Sequence, residues 1–406
     1  MFAAFTYRDF RVQWFGACTS SIGTWTQSSA QNWMVLSLTG SAFFLGLDAF
    51  LQQLPIMLFT LIGGVLADRR DRRHTLLTSQ YIQMTTATVL AVLVFFDLVK
   101  IWQILVLSFM TGLAQAFGGP AYQALIPSLV NNKDLPNAVA FNSIQVNVAR
   151  VIGPLVFGAT LVVFATWGFS DAQGMAACFL VNALSFIVVI YTLMSLHVKH
   201  IPPVAVHRMR DEMRTGLSYV ARNGDLVSLT VLAAATTFLG FATITFLPLF
   251  TQQVFHEGAS TYSRLLAFSG AGSIVGALVV AWLGKFAKMG WTTLMVQAVY
   301  GLLMVAFAMS RAVWLSELML FAMGAAMMVA FSTITSLVQL IAPNEIRGRV
   351  MSIYMLAFRG GMPLGSLVSG YLATLVGPIL VLEVNGVLLV GVAGYFMLRN
   401  HGVRDI

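Results

Sequence analysis

Apolar residues fill this chain in long blocks, each about twenty residues or more, separated by short polar stretches. The blocks do not alternate. A membrane barrel strand alternates over about ten residues, so a barrel is excluded. A helix rises about 1.5 Å per residue, and about twenty residues cross roughly 30 Å of hydrocarbon. Twelve spans are predicted, at 12–37, 43–67, 75–96, 101–124, 138–166, 175–196, 227–251, 264–284, 292–310, 314–340, 349–375 and 379–398. The expected fold is an all-α integral membrane protein.

Composition agrees. Of 406 residues, 58 % are hydrophobic and only 9 % charged, whereas a soluble domain carries roughly 25 % charge. Mean hydropathy is +0.83. A soluble enzyme, a disordered tail, a disulfide scaffold and a nucleic-acid binder are all excluded. The net charge of +8 reads as topology-setting cations rather than a nucleic-acid footprint. With the N-terminus in the cytoplasm, eighteen Lys and Arg fall on cytoplasmic segments, against Lys100, Arg264 and Arg311 on the other side. Both termini are therefore expected in the cytoplasm. No cleavable signal peptide is expected, because the first apolar stretch runs far past signal length. Cys18 and Cys178 lie in apolar stretches and suggest neither a disulfide framework nor a metal site.

The longest loop, 197–226, holds Pro202, Pro203 and the amphiphilic run Met209–Tyr219. It divides the chain into 1–196 and 227–406, with 197–226 as a cytoplasmic linker, partly an interfacial helix. A shift of 209 residues lays Arg150 on Arg359 and Pro154 on Pro363, each in the fifth helix of its half. A duplicated six-helix unit with both halves in one orientation is the arrangement of major facilitator transporters.

The most specific motif is Gly63-Gly-Val-Leu-Ala-Asp-Arg-Arg-Asp-Arg-Arg-His74, after the second span. Its Gly64, Asp68, Arg69, Arg72 and Arg73 match the major facilitator signature of that loop, with Asp71 where the family usually has a second glycine. Thr39-Gly-Ser41, Pro55, Ile126-Pro-Ser-Leu-Val130, Leu135, Asn137, Arg150, Gly153 and Pro154 narrow the likeness. The chain resembles the bacterial exporter branch that includes the enterobactin exporter and macrolide efflux proteins. The resemblance covers nearly the whole first half and the helix-eleven region. It implies two pseudo-symmetric six-helix bundles, and a loop at 64–73 that latches the halves in an outward-open state. It also implies an antiporter-type fifth helix, carried here by Arg150, Gly153, Pro154 and Gly158. The fourth span, 105–119, lacks the arginine many drug antiporters carry there.

Several polar residues sit where hydrocarbon would penalise them. Arg150 and Arg359 each lie about eleven residues, or roughly 16 Å, into their helices. Intramembrane charges normally face a wet cavity or a partner; these two either attract an anionic part of a substrate or hold structural ion pairs. Ser20, Thr24, Gln27 and Gln31 share one face of the first span, with Ser21, Trp25, Ser28 and Asn32 adjoining. Ser108, Thr111, Gln115 and Tyr122 repeat the stripe in the fourth span, and Ser332, Ser336 and Gln339 in the tenth. The resemblance places spans one, four, seven and ten around a central cavity, so Thr24, Gln27, Gln31, Gln115, Tyr122, Arg359 and Ser336 are its candidate lining. Acidic residues within spans are few. Asp48 and Glu317 are candidate proton sites, since partial desolvation raises a carboxyl pKa; Glu383 is a weaker one. The spacings Gly272/Gly276 and Gly361/Gly365/Ser369 fit close helix crossings.

The reading is a secondary active transporter: proton-coupled export of amphiphilic organic molecules, a siderophore or a drug, by alternating access. A lipid or lysolipid flippase and a nutrient importer on the same fold are the alternatives. No phosphate-binding Gly-x-x-x-x-Gly-Lys loop is present, which excludes an ATP-driven pump. No nucleophile–His pair or metal cluster appears, so no enzyme, cofactor or metal is expected. The expected partners are a small-molecule substrate, protons and membrane lipid, with no nucleic acid, for a monomer in a bacterial inner membrane.

Overall fold

In the computed structural model, residues 2–69, 71–196, 209–284, 288–398 and 403 are described, apart from the side chains of 61, 64–69 and 209–215. All fourteen α-helices among them are packed without a sheet. In chain order they are α1 (Arg8–Thr39), α2 (Ala42–Arg69), α3 (Arg72–Phe95), α4 (Ile101–Leu125), α5 (Leu135–Thr166), α6 (Asp171–Ser195) and α7 (Met209–Arg222). Then follow α8 (Gly224–Gly240), α9 (Ala242–Gln253), α10 (Ala259–Leu283), α11 (Met289–Met309), α12 (Val313–Ile341), α13 (Arg347–Val376) and α14 (Pro378–Leu398).

Ten helical segments among the described residues are long and apolar enough to cross a membrane, with α8 and α9 counted as one. The sequence led us to expect twelve spans. The two long helices outside the ten are α1 and α13. Their polarity is the reason: α1 carries the Ser, Thr and Gln stripe, and α13 carries Arg347, Arg349 and Arg359.

The expected seventh span is present as one apolar segment, Gly224–Gln253, carried by two helices. Tyr300 donates its hydroxyl to the Gly240 carbonyl at 3.0 Å, and Asn385 Nδ2 donates to the Leu239 carbonyl at 3.1 Å. Both carbonyls at the junction are thus engaged by side chains of other helices, and Pro248, about two turns beyond, lacks an N–H. The chain divides into α8 and α9 at Phe241.

Local signals set other ends. Gly40 closes α1 in the left-handed conformation at φ +60°, its N–H bonded to the Leu36 carbonyl at 2.7 Å. Ser170 and Gln173 form a reciprocal capping box at the start of α6. Asp71 caps α3, accepting from the backbone N–H of Arg73 and of His74. That role accounts for an aspartate where the family usually has glycine.

The chain divides into two compact units. The first comprises Met1–Gly40, Leu51–Ala205 and Glu257–Ala267; the second comprises Ser41–Phe50, Val206–His256 and Phe268–Ile406. In the first, α1 packs on α5 and α6, and α3 packs on α4 and α6. In the second, α8 packs on α13 and α14, and α11 packs on α12 and α14. The 209-residue shift maps α5 onto α13, so the same pairing scheme is built twice.

Within the first unit, the turn Ala3–Thr6 docks on the start of α5. The Ala4 N–H donates to Asn137 Oδ1 at 2.9 Å, and Tyr7 donates to Asp134 Oδ2 at 2.7 Å. Donation to the carboxylate raises the Tyr7 pKa above its ordinary value, so the link persists through neutral pH and loosens only in alkali. Within the second unit, Gly272 lets α10 and α12 touch: a Cβ there would stand 1.9 Å from the Phe321 carbonyl oxygen. Gly272→Val should cost at least about 1–3 kcal/mol of stability. Gly391→Ala, where a Cβ meets nothing within 4 Å, should leave stability unchanged or gain about 0.5–1 kcal/mol. Melting curves of the two purified variants check this.

Candidate functional site

Helices α1, α3, α4, α5 and α6 of the first unit enclose a cavity of about 270 Å³. Its polar wall is built from carboxamides: Gln13 of α1, Gln80 and Gln83 of α3, Gln115 of α4 and Gln145 of α5. Tyr122, Trp25 and Thr24 complete it, and among the described residues no charged side chain lines it. A second void of about 20 Å³, enough for about one water, lies beside it. It shares Thr24 and Gln83 with the larger one and reaches Gln27, Gln31 and Asn182.

The helical hydroxyls and the carboxamides behave differently. Thr24 and Ser29 return their hydroxyls to their own helix, to the carbonyls of Ser20 and Trp25, both at 2.9 Å. Gln83 likewise turns back on α3, to Ser79 Oγ at 3.1 Å, but other carboxamides reach across to a second helix. Gln31 donates to Ser108 Oγ at 2.8 Å, and Asn182 donates to Gln27 Oε1 at 2.7 Å. Gln145 donates to Ser21 Oγ at 2.7 Å, while Tyr122 donates to Asn142 Oδ1 at 2.6 Å and meets Gln145 Oε1 at 3.2 Å. This chain ties α1, α4, α5 and α6 together. Gln13 and Gln80 are left over. Each has a buried Oε1 with no hydrogen-bond partner, and Gln13 is only 3 % exposed. Both atoms belong to residues of the cavity wall.

The fifth-helix residues are packing points. A Cβ on Gly153 would stand 2.3 Å from the Trp25 Cβ, and one on Gly158 would stand 2.5 Å from Ser263 Oγ. Thr26 donates to the Gly153 carbonyl at 3.0 Å and Ser263 to the Pro154 carbonyl at 2.6 Å. Arg150, half-buried, holds its guanidinium carbon 5.4 Å from the centre of the Trp25 ring, a cation–π contact on a residue of the cavity wall.

Arg72 and Arg73 of the signature loop serve helix ends within the first unit. Arg72 donates to the Ala124 carbonyl at 3.0 Å and Arg73 to the Met194 carbonyl at 2.6 Å. Cations at the C-termini of α4 and α6 meet the negative ends of their dipoles. Gly64, Asp68 and Arg69 fall in the last turns of α2; the surroundings of these three lie outside the described residues. Asp48 is buried at 3 % exposure and Glu317 half-buried; neither lines the cavity. Arg359 and Ser336 belong to the second unit.

Thr24, Gln115 and Tyr122 thus line the larger cavity, with Gln27 and Gln31 in its smaller neighbour. Sequence reasoning missed Gln13, Gln80, Gln83 and Gln145. The signal was present: glutamine inside an apolar span is costly, and Gln80 and Gln83 are spaced to share a helix face. An apolar groove of about 520 Å³ on the α3–α4 seam, with Ile82 and Met110 exposed in it, was missed as well. Among the described residues no three His, Cys, Asp or Glu side chains cluster as a metal site would need.

The sequence profile of the family described as transmembrane secretion effector matches residues 1–404. The chain belongs to that family of major facilitator transporters. It is 25 % identical over 386 residues to the staphyloferrin A transporter of Staphylococcus aureus, covering 94 % of each chain. It is 24 % identical over 378 residues to macrolide efflux protein A of Streptococcus pyogenes, covering 91 % of this chain and 90 % of that one. In fold it is similar to a bacterial homologue of the human lysosomal transporter Spinster in an inward-facing, unoccupied conformation. The TM-score is 0.77, at 14 % identity and 96 % coverage of each chain. This family member is therefore a multi-pass membrane transporter of small molecules and not an enzyme.

The two kinds of glutamine make opposite predictions. Gln145→Met orphans Ser21 and weakens the hold on Tyr122, and should lower stability by about 1–3 kcal/mol. Gln13→Met removes an acceptor that has no donor, and should leave stability unchanged or raise it. Thermal denaturation of both variants in one detergent checks the contrast.

Proposed function

We propose that this transporter exports an amphiphilic organic molecule by alternating access, driven by proton antiport. The observation that carries the reading is the uncharged, hydrogen-bonding cavity of the first unit, with the Gln13 and Gln80 oxygens waiting for donors. At about 270 Å³ it is slightly smaller than the usual ligand pocket of roughly 300–1,000 Å³. It would hold the hydroxyl- or amide-bearing part of a larger molecule. The names of the siderophore and macrolide relatives support export of such compounds.

The finer architecture belongs to this proposal. Adding α1 and α13, of 32 and 30 residues, to the ten apolar segments makes twelve spans, in halves of 1–196 and 227–406 joined by 197–226. The repeated pairing scheme supports two such bundles. An even count, with the excess of cations on one side, supports both termini in the cytoplasm of a bacterial inner-membrane monomer. The loop carrying Gly64, Asp68, Arg69, Arg72 and Arg73 is proposed to gate. Asp48, desolvated at 3 % exposure, is the proposed proton carrier, with Glu317 second. The groove on the α3–α4 seam is proposed to hold membrane lipid.

Proteoliposomes with an imposed pH gradient test this, with erythromycin as the first probe. Gln115→Leu and Tyr122→Leu should each slow uptake about tenfold, the value of one lost substrate hydrogen bond of roughly 1.4 kcal/mol. Asp48→Asn should abolish the dependence on the gradient. Uptake by the wild-type protein that ignores the gradient would overturn proton coupling. Wild-type rates in both cavity variants would overturn the cavity as the substrate site.

A further inference from the structure

Arg150 and Arg359 occupy equivalent places in the repeat, yet the structure treats them differently. Arg150 is half-buried and lies over Trp25. Arg359 is exposed, and among the described residues it makes no hydrogen bond or ion pair. It lies twelve residues into α13, about 18 Å along the axis. An arginine at that depth is costly in lipid and faces water or a partner.

Helix geometry shows which it faces. Successive residues turn by about 100°. Leu364, Val368 and Leu375, exposed at 44 %, 42 % and 63 %, therefore stand about 140–180° round the helix from Arg359. They form the lipid side. Ser366, about 20° from Arg359 in projection, is 1 % exposed and bonds Thr245 Oγ1 at 3.1 Å. Gly370, on the same side, is packed on the Ala42 carbonyl. The side of α13 that carries Arg359 is thus a protein-covered side farther along, and it opens where Arg359 sits. A charge in that opening is answered by water far more cheaply than by lipid.

The neighbouring helix adds donors. Phe331 of α12 packs against Phe358 with ring centres 4.5 Å apart and planes tilted by 35°, and Thr335 meets the Tyr354 hydroxyl at 2.9 Å. These contacts fix an antiparallel register. In antiparallel helices the next residue on each turns to the same side of the seam. Ser332 and Ser336 therefore flank the same side as Arg359 and Met355. Neither serine hydroxyl engages another described side chain. A planar guanidinium fork with two hydroxyls beside it, rimmed by Met355 and the exposed Leu356, matches a carboxylate carried on an apolar body.

We propose that Arg359, assisted by Ser332 and Ser336, is a receptor for an organic carboxylate, so that the transported molecule carries one. This deepens the export reading and rests on it for the word transported; the anion site itself stands on the second unit alone.

The test uses full-length protein in proteoliposomes, labelled with the arginine reagent phenylglyoxal and read at Arg359 by peptide mass spectrometry. Naproxen supplies an aryl carboxylate, and its primary amide supplies the same skeleton without charge. Arg359 should label, and saturating naproxen should slow labelling at least fivefold, while the amide slows it less than twofold. Arg359→Gln should weaken naproxen binding, read by ligand fluorescence, about tenfold or more, and Arg359→Lys by much less. Failure of Arg359 to label would overturn the wet opening. Equal effects of acid and amide, including no effect of either, would overturn the carboxylate receptor. Labelling needs no turnover and no variant, so protection without any transport would retain the anion site and overturn only the export reading.

Discussion

Inside hydrocarbon a polar group can be satisfied only by another polar group, because no water is at hand. Much of the structure follows from how each such group is answered. The carbonyls of Gly153 and Pro154 are met by Thr26 and Ser263, and those of Leu239 and Gly240 by Asn385 and Tyr300. Each answer brings two helices together at a chosen point. The hydroxyl pairs Thr86–Thr111 and Thr293–Thr333 do the same for α3 on α4 and for α11 on α12. Interhelical bonds of this kind contribute modestly one by one, about 0.6–2 kcal/mol. Their larger effect is on register, since a helix that slips by one turn loses every such interhelical bond at once.

Against that background the exceptions stand out. Among the described residues, Gln13 and Gln80 keep polar atoms with no partner, and Arg359 makes no ion pair. A chain selected for stability alone would replace them, because unanswered polar atoms in a membrane cost free energy. Their places also differ in kind. The glutamine cavity offers neutral acceptors and donors; the α12–α13 seam offers one cation and two hydroxyls.

Small residues and local caps supply the rest. Gly272 lets a backbone approach that any side chain would block. Asp71 begins α3 by capping it, while Arg72 and Arg73, the next two residues, close the ends of α4 and α6. A motif that reads in sequence as a run of charges is therefore also a joint at which three helix ends meet within the first unit.

The sequence by itself determined the helices, because length and apolarity are local properties that a membrane reads directly. The amphiphilic run Met209–Tyr219 became α7, and the family was legible in the loop motif and the fifth span. The repeat was visible as one arginine and one proline 209 residues apart, and the pairing scheme carries it through both units. The polar stripe of the first span was legible as a stripe. Which of its members would face a void and which would be consumed by a neighbour was not, because that depends on helices over a hundred residues away: Asn182 claims Gln27, and Gln145 claims Ser21. The break at Phe241 was equally hidden, and the side chains that bond the carbonyls beside it, Tyr300 and Asn385, lie on α11 and α14. Arg150 and Arg359 look alike in sequence, at matched depths in matched helices. Only tertiary packing separates them, by setting Trp25 beneath one guanidinium and leaving the other exposed.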